Sequence, residues 1–299
     1  MTRSDSRLER ILDEGSFAVT AEVVPPRNAD SAAVAAQARA LTGYADAVNV
    51  TDSPTGSAHM SPVAGAAIVA REGLEPVLQL ACRDRNRLAL HGDLLGAWAV
   101  GARNVLCLTG DPVADPEAAE VHDLTVLDLV RFAVQLRDEG RSLSGDPVDP
   151  APRYFVGVAD VPLEPGYDPR RLEQKADAGA DFVQTQIVYD VDALGEWVDA
   201  VRPRGLLERL FVLVGVAPPR SASAARFMRE NLPGVVVPDA VIERLEGSPD
   251  PREAGVDLTV EIVATIQKID GIAGVHVMGI GKEEPVRKVI ERAGLLPRP

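Results

Sequence analysis

Eight short apolar runs, each followed by a helix-like stretch, constrain this 299-residue chain more than any other feature. They are "FAVTAEVV" (17–24), "AVNVT" (47–51), "PVLQLAC" (76–82), "NVLCLTG" (104–110), "YFVGVAD" (154–160), "DFVQTQIV" (181–188), "LFVLVGV" (211–217) and "GVHVMGI" (274–280). Val, Ile and Leu dominate them and Gly, Pro and Asp bound them, which is the pattern of strands. Near-continuous apolar strands have both faces buried, as in a parallel sheet covered by helices. Eight such units in a chain of this length predict an α/β fold, a closed (β/α)8 TIM barrel, rather than an open sheet. No GxGxxG follows the first run, which argues further against a dinucleotide-binding open sheet. Two stretches exceed the repeat: a Pro-, Ser- and Asp-rich loop at 142–153, and extra helices before the last strand at 232–270. No linker or low-complexity tract divides the chain, so residues 1–299 read as a single barrel domain.

The formal net charge of −14 makes a surface that repels phosphate backbones, so no nucleic-acid partner is expected. No apolar run approaches the roughly 20 residues of a membrane span, and the polar start "MTRSDSRLERILDEGSF" lacks a signal-peptide core. Two cysteines, Cys82 and Cys107, are too few for a secreted disulfide framework, so a reducing cytoplasmic location is expected. Both sit in apolar runs and are expected to be buried, inert thiols.

In a barrel of this kind the C-terminal strand ends face one cavity. The first run carries Glu22 before "VVPPR", the second ends at Thr51, and the third carries Gln79. The fourth closes on Asp111, the sixth holds Gln184 and Gln186, and the eighth ends near Lys282. One such residue is an ordinary turn or cap. Five or six together predict a polar pocket for a small molecule. The four His (59, 91, 122, 276) lack paired ligand spacing on a strand, so no metal site is expected. No Lys falls within a strand run, which disfavours a Schiff-base lyase.

The segments "AEVVPPR", "AVNVTDSP", "LQLACRDRNR", "NVLCLTGDP", "KADAGADFVQTQIVYD" and "GVHVMGIGK", in this order, resemble the methylenetetrahydrofolate reductase family over nearly the whole chain. The resemblance implies a barrel with FAD across its strand ends, reducing 5,10-methylenetetrahydrofolate to 5-methyltetrahydrofolate, with NADH or NADPH reloading the flavin. By the same resemblance Glu22 is the general acid that protonates N10. Asp111 lies beside flavin and pterin as a stabilising charge. Gln186 touches pterin and nicotinamide in turn, a choice over Gln184 that spacing alone does not make. Thr51, Gln79, Leu108, Thr109 and Gly110 match positions along the flavin ring. Asp168 and Lys175 match residues on the adenosine and pyrophosphate side, although Asp168-Pro169 also has the form of a helix cap. Lys282 stands where an Arg often lies near the substrate's glutamate tail.

The chain departs from the family pattern in places. The stretch "VGVADVPLEPG" lacks the aromatic and His that many members pack on the flavin, Thr109 replaces an Arg, and Gln79 replaces a His. A flavin-free enzyme taking hydride directly from NADH therefore stays open. So do a partner subunit, a homo-oligomer, and a non-catalytic barrel docked to an oxidoreductase.

Overall fold

The two faces of each strand bury in different places, and this division builds the molecule. A computed structural model describes residues 3–299. Its strands are β1 (Ala18–Val23), β2 (Ala47–Val50), β3 (Pro76–Ala81), β4 (Asn104–Leu108), β5 (Phe155–Asp160), β6 (Phe182–Ile187), β7 (Phe211–Val216) and β8 (Ile272–Val277). They pair in parallel in chain order, and β8 closes on β1, so the expected barrel is the one observed. The helices are α1 (Arg7–Asp13), α2 (Ser31–Leu41), α3 (Pro62–Arg71), α4 (Arg87–Ala99), α5 (Val126–Glu139) and α6 (Arg170–Asp177). They continue with α7 (Val191–Val201), α8 (Leu206–Arg209), α9 (Ala222–Asn231), α10 (Asp239–Glu246), α11 (Pro251–Ile266) and α12 (Glu283–Arg292). The extra helices foreseen before the last strand are α10 and α11. None of the helices is long and apolar enough to cross a membrane, among the described residues.

On β1, Val19, Ala21 and Val23 point out and join the core between sheet and helices. Ala18 points in and packs with Ala47, Val77, Leu106, Phe155, Phe182 and Leu213. Alternation along a strand then sends Thr20 and Glu22 inward as well. Phe155 and Phe182 stack with centroids 4.9 Å apart. A Cβ on Gly157 would fall 2.1 Å from the Phe182 ring, so that glycine makes the stack feasible. Cys82 and Cys107 are buried, and burial raises both thiols, Cys82 to about 11, as expected of inert cysteines.

Helix α1 had no counterpart among the strand–helix units. Leu8, Ile11 and Leu12, at helical spacing, join the inner cluster at the N-terminal end of the barrel and close it. Glu75 anchors this plug by accepting the N–H groups of Arg7 (2.7 Å) and Leu8 (2.9 Å). The same end holds a buried ion pair, Arg137 Nη1 to Asp181 Oδ2 at 2.6 Å, with side chains 2% and 5% exposed. Arg137→Met leaves that carboxylate with only the exposed Arg3 as a charge partner. A loss of about 3 kcal/mol is expected. Thermal unfolding checks it, and a midpoint within a degree of wild type would contradict it.

Candidate active site

Strand β1 delivers Glu22 to the C-terminal mouth, in register with Asn49 of β2. Pro25 and Pro26 then end the strand, because neither can donate to a ladder. Gln37 of α2 clasps the exit by accepting the Val24 N–H and donating to the Val24 carbonyl, both at 3.0 Å. Burial pushes the Glu22 carboxyl up to about 7, and a hydrogen bond from the Ile280 backbone pulls weakly the other way. Arg27, five residues further on, is not among the groups that shift it. Ile280 holds φ at +48°, a left-handed conformation that a β-branched residue rarely adopts. The result is a carboxyl that is part-protonated at neutral pH, the requirement for a general acid.

Leu108 ends β4, and Thr109, Gly110 and Asp111 follow at the rim, Thr109 and Asp111 exposed. Gly110 has φ +95°, and a Cβ there would sit 2.8 Å from Arg83 Cβ and 3.0 Å from Ala81 Cβ. The turn needs glycine at this place. Asp111 is also a structural acceptor: its Oδ2 takes the Thr55 N–H at 2.7 Å. Thr55 and Ser53 are left-handed, at φ +58° and +47°, so Asp111 helps hold a strained loop after β2 against the loop after β4. Arg83, only 2% exposed, donates to the Asp111 carbonyl at 3.1 Å beneath it. Asp52 accepts the Ala81 N–H (2.8 Å) and pairs with Arg85 (2.7 Å), tying the ends of β2 and β3. Neither Asp52 nor the two arginines was singled out from the sequence. The signal was their place in "TDSP" and "CRDRNR", both beside strand ends.

Thr51 follows β2, buried, and its Oγ1 has no hydrogen-bond partner. An orphaned buried hydroxyl at the mouth is what a ring-binding contact would leave when the ring is absent. Gln79 lies half-buried on β3. The flavin-ring side is therefore compatible with the residues present.

The adenosine side differs. Asp168 lies outside α6, whose N-cap position is Pro169, so the cap reading shifts by one residue. Its carboxylate accepts the Arg170 N–H at 3.0 Å and pairs with the Arg170 guanidinium at 2.7 Å, which lowers it to about 2. Lys175 is on α6 but is not a solvated side chain. Its Nζ donates to the Ala159 carbonyl at 2.6 Å and lies 3.8 Å from Asp160 Oδ1. Asp160 Oδ2 in turn accepts from Tyr167 (2.7 Å) and Trp197 (3.1 Å). Lys175 and Asp168 are thus each engaged within the protein.

The two glutamines separate. Gln184 is 3% exposed inside the barrel, bonded to Asn49 and Thr20. Gln186, half-buried at the mouth, donates to the Pro233 carbonyl at 3.1 Å and accepts the Ile187 N–H at 2.9 Å. Lys282 is exposed at the N-cap of α12, beyond β8. Strand order therefore brings Glu22, Thr51, Gln79, Asp111, Gln186 and Lys282 to one rim. No group of three or more His, Cys, Asp or Glu suited to a metal occurs among the described residues.

A family model described as methylenetetrahydrofolate reductase matches residues 7–294. Methylenetetrahydrofolate reductase 1 of Schizosaccharomyces pombe is 31% identical over 238 residues, covering 75% of this chain and 36% of that protein. The 5,10-methylenetetrahydrofolate reductase of Escherichia coli is 22% identical over 231 residues, covering 76% and 73%. The chain thus spans about a third of the length of the fungal relative. A Clostridium thermocellum protein described as binding two copies of 5-methyl-5,6,7,8-tetrahydrofolic acid shares the fold, with TM-score 0.65 at 13% identity, covering 96% of this chain and 97% of that one. Oxaloacetate acetylhydrolase shares it more distantly, with TM-score 0.54, 13% identity, and coverage of 98% and 86%.

Proposed function

This chain belongs to the methylenetetrahydrofolate reductase family, and from that premise we propose that it reduces 5,10-methylenetetrahydrofolate to 5-methyltetrahydrofolate. The observation that carries the reading is Glu22, a carboxyl at the barrel mouth held near pKa 7 by burial. Glu22 gives its proton to N10, the C–N10 bond breaks, and the methylene carbon becomes an iminium on N5. That carbon accepts hydride and becomes the methyl group. Asp111 faces the cation as a fixed negative charge. Gln186 must exchange its Pro233 carbonyl for a ligand in order to bind one. Lys282 offers an exposed ammonium to the carboxylates of the glutamate tail.

A bound FAD would supply the hydride and a reduced nicotinamide would restore it. Thr51, Gln79, Leu108, Thr109 and Gly110 would line its ring, with Asp168 and Lys175 toward the adenosine and pyrophosphate. A second reading, direct hydride transfer from the nicotinamide without flavin, is favoured by the prior engagement of Lys175 with Asp160 and of Asp168 with Arg170.

The test is the visible spectrum of the purified protein, with turnover of methylenetetrahydrofolate by NADH and by NADPH. Yellow flavin bands with turnover support the first reading, and a colourless active protein supports the second. Absence of turnover with either nicotinamide, in protein loaded with FAD, overturns the function. Replacing Asp168 and Lys175 together by Ala removes the two charged side chains placed toward the adenosine and pyrophosphate. The expected outcome is FAD binding weakened at least tenfold in titrations followed by flavin fluorescence. Unchanged binding would remove both residues from the cofactor site.

A further inference from the structure

One layer below Glu22 the barrel interior is polar, where barrels of this kind stack branched apolar side chains. Asn49 Nδ2 donates to Gln184 Oε1 at 2.7 Å, and Gln184 Nε2 donates to Asn49 Oδ1 at 3.2 Å. Gln184 Nε2 also reaches Thr20 Oγ1 at 3.3 Å, and Thr20 Oγ1 lies 2.9 Å from His276 Nδ1 in a further hydrogen bond. All four side chains are buried, Thr20 and Asn49 completely. Burial also keeps His276 neutral, lowering it to about 4.

In an eight-strand circle β2 and β6 are diametrically opposite, so the Asn49–Gln184 pair spans the barrel. Glu22 stands two residues beyond Thr20, and Gln186 two beyond Gln184, each directly above a member of the network. The shorter way round the barrel wall from β6 to β1 runs through β7 and β8. Two of the three ladders on that route are irregular, with register shifts between Gln184 and Ile187 and between Val212 and Leu213. A side-chain tie from β6 to β1 and β2 bypasses both irregularities. Apolar residues of similar shape would fill the same space with no less stability. Stability alone thus gives no reason for amides here.

We propose that Asn49 and Gln184 form a cross-barrel brace that fixes the spacing of Glu22 and Gln186, making them positioning residues for the hydride step. The proposal rests on the reductase reading. Misplacing a reacting group by about 1 Å costs about a hundredfold in rate, so a loosened brace is expected to act on kcat more than on KM.

The test compares Asn49→Leu, Gln184→Met and the double swap Asn49→Gln/Gln184→Asn, which conserves the summed amide length. Single-turnover reduction of methylenetetrahydrofolate is measured at 25 °C beside the thermal midpoint. The single variants are expected to lose tenfold or more in rate with KM within threefold, and the swap to recover most of that loss. Thr20→Val, which deletes the hydrogen bonds of Thr20 Oγ1 with Gln184, His276 and the Val275 carbonyl with little change of volume, is expected to lose three- to tenfold and covers the case in which an amide variant does not fold. Wild-type rates in variants whose midpoint has fallen would make the network merely structural and overturn the proposal. So would a well-folded swap without recovery. Wild-type protein that does not reduce the folate overturns the reductase reading and the brace with it, whereas active wild type with unaffected variants overturns the brace alone.

Discussion

Glu22→Gln is expected to lose about 10²- to 10⁴-fold in the reduction of methylenetetrahydrofolate, the usual contribution of a general acid. Nicotinamide oxidation by an artificial acceptor should stay close to wild type, because that reaction needs no proton at N10. A carboxyl at its ordinary value of 4.5 would carry a proton in fewer than one molecule in a hundred at neutral pH. Burial at the end of β1 brings Glu22 to about 7, so close to half the molecules are in the donating form. The sign of the pH dependence follows. In the proposed role the acid form is the active one, so the folate half-reaction is expected to be fastest below pH 7 and to fall about tenfold per unit above it. In Glu22→Gln that limb should vanish along with the rate. Stopped-flow measurement across pH checks both. A variant that reduces the folate at near wild-type rate would remove Glu22 from the acid's role.

Asp111→Asn is expected to fold normally and still lose roughly a hundredfold or more in folate turnover. The structure sharpens the expectation, because Asp111 has a second duty. Its carboxylate accepts the Thr55 N–H, and the Asn side-chain carbonyl can accept the same donor. The strained loop after β2 therefore keeps its anchor, and the thermal midpoint should move by no more than about 2 °C. On the proposed reaction, what Asn lacks is the charge opposite the cationic iminium. Stabilisation of that kind is worth about 3–4 kcal/mol. Asp111→Ala removes both duties and should lower the midpoint as well as the rate. An Asn variant with an unaltered rate of folate reduction would return Asp111 to being a loop anchor.

The barrel was legible because its determinants are local and repeated. A run such as "FVLVGV" is apolar on both faces, and only a sheet covered on both sides accommodates eight of them. The plug α1 was legible in principle from Leu8, Ile11 and Leu12, but seven residues give too short a window for periodicity to stand out from a polar terminus. The fate of Lys175 was not legible. Its mid-helix position says nothing of Asp160, which lies a strand away and decides its charge environment.

The sequence by itself determined the strand–helix order, the closure into a barrel, and which polar residues end the strands at the mouth. These follow from side-chain periodicity and strand direction, which are properties of the chain taken a few residues at a time. Only the tertiary structure gave Gln184 and Gln186 different surroundings, since they share a strand face and differ in what stands opposite. Asn49 across the barrel takes one, and Pro233 in the loop after α9 takes the other. It likewise decided that Glu22 meets no compensating cation and that Asp111 anchors Thr55. Protonation and hydrogen bonding depend on the groups that folding brings within a few ångströms, and these come from segments far apart in the chain.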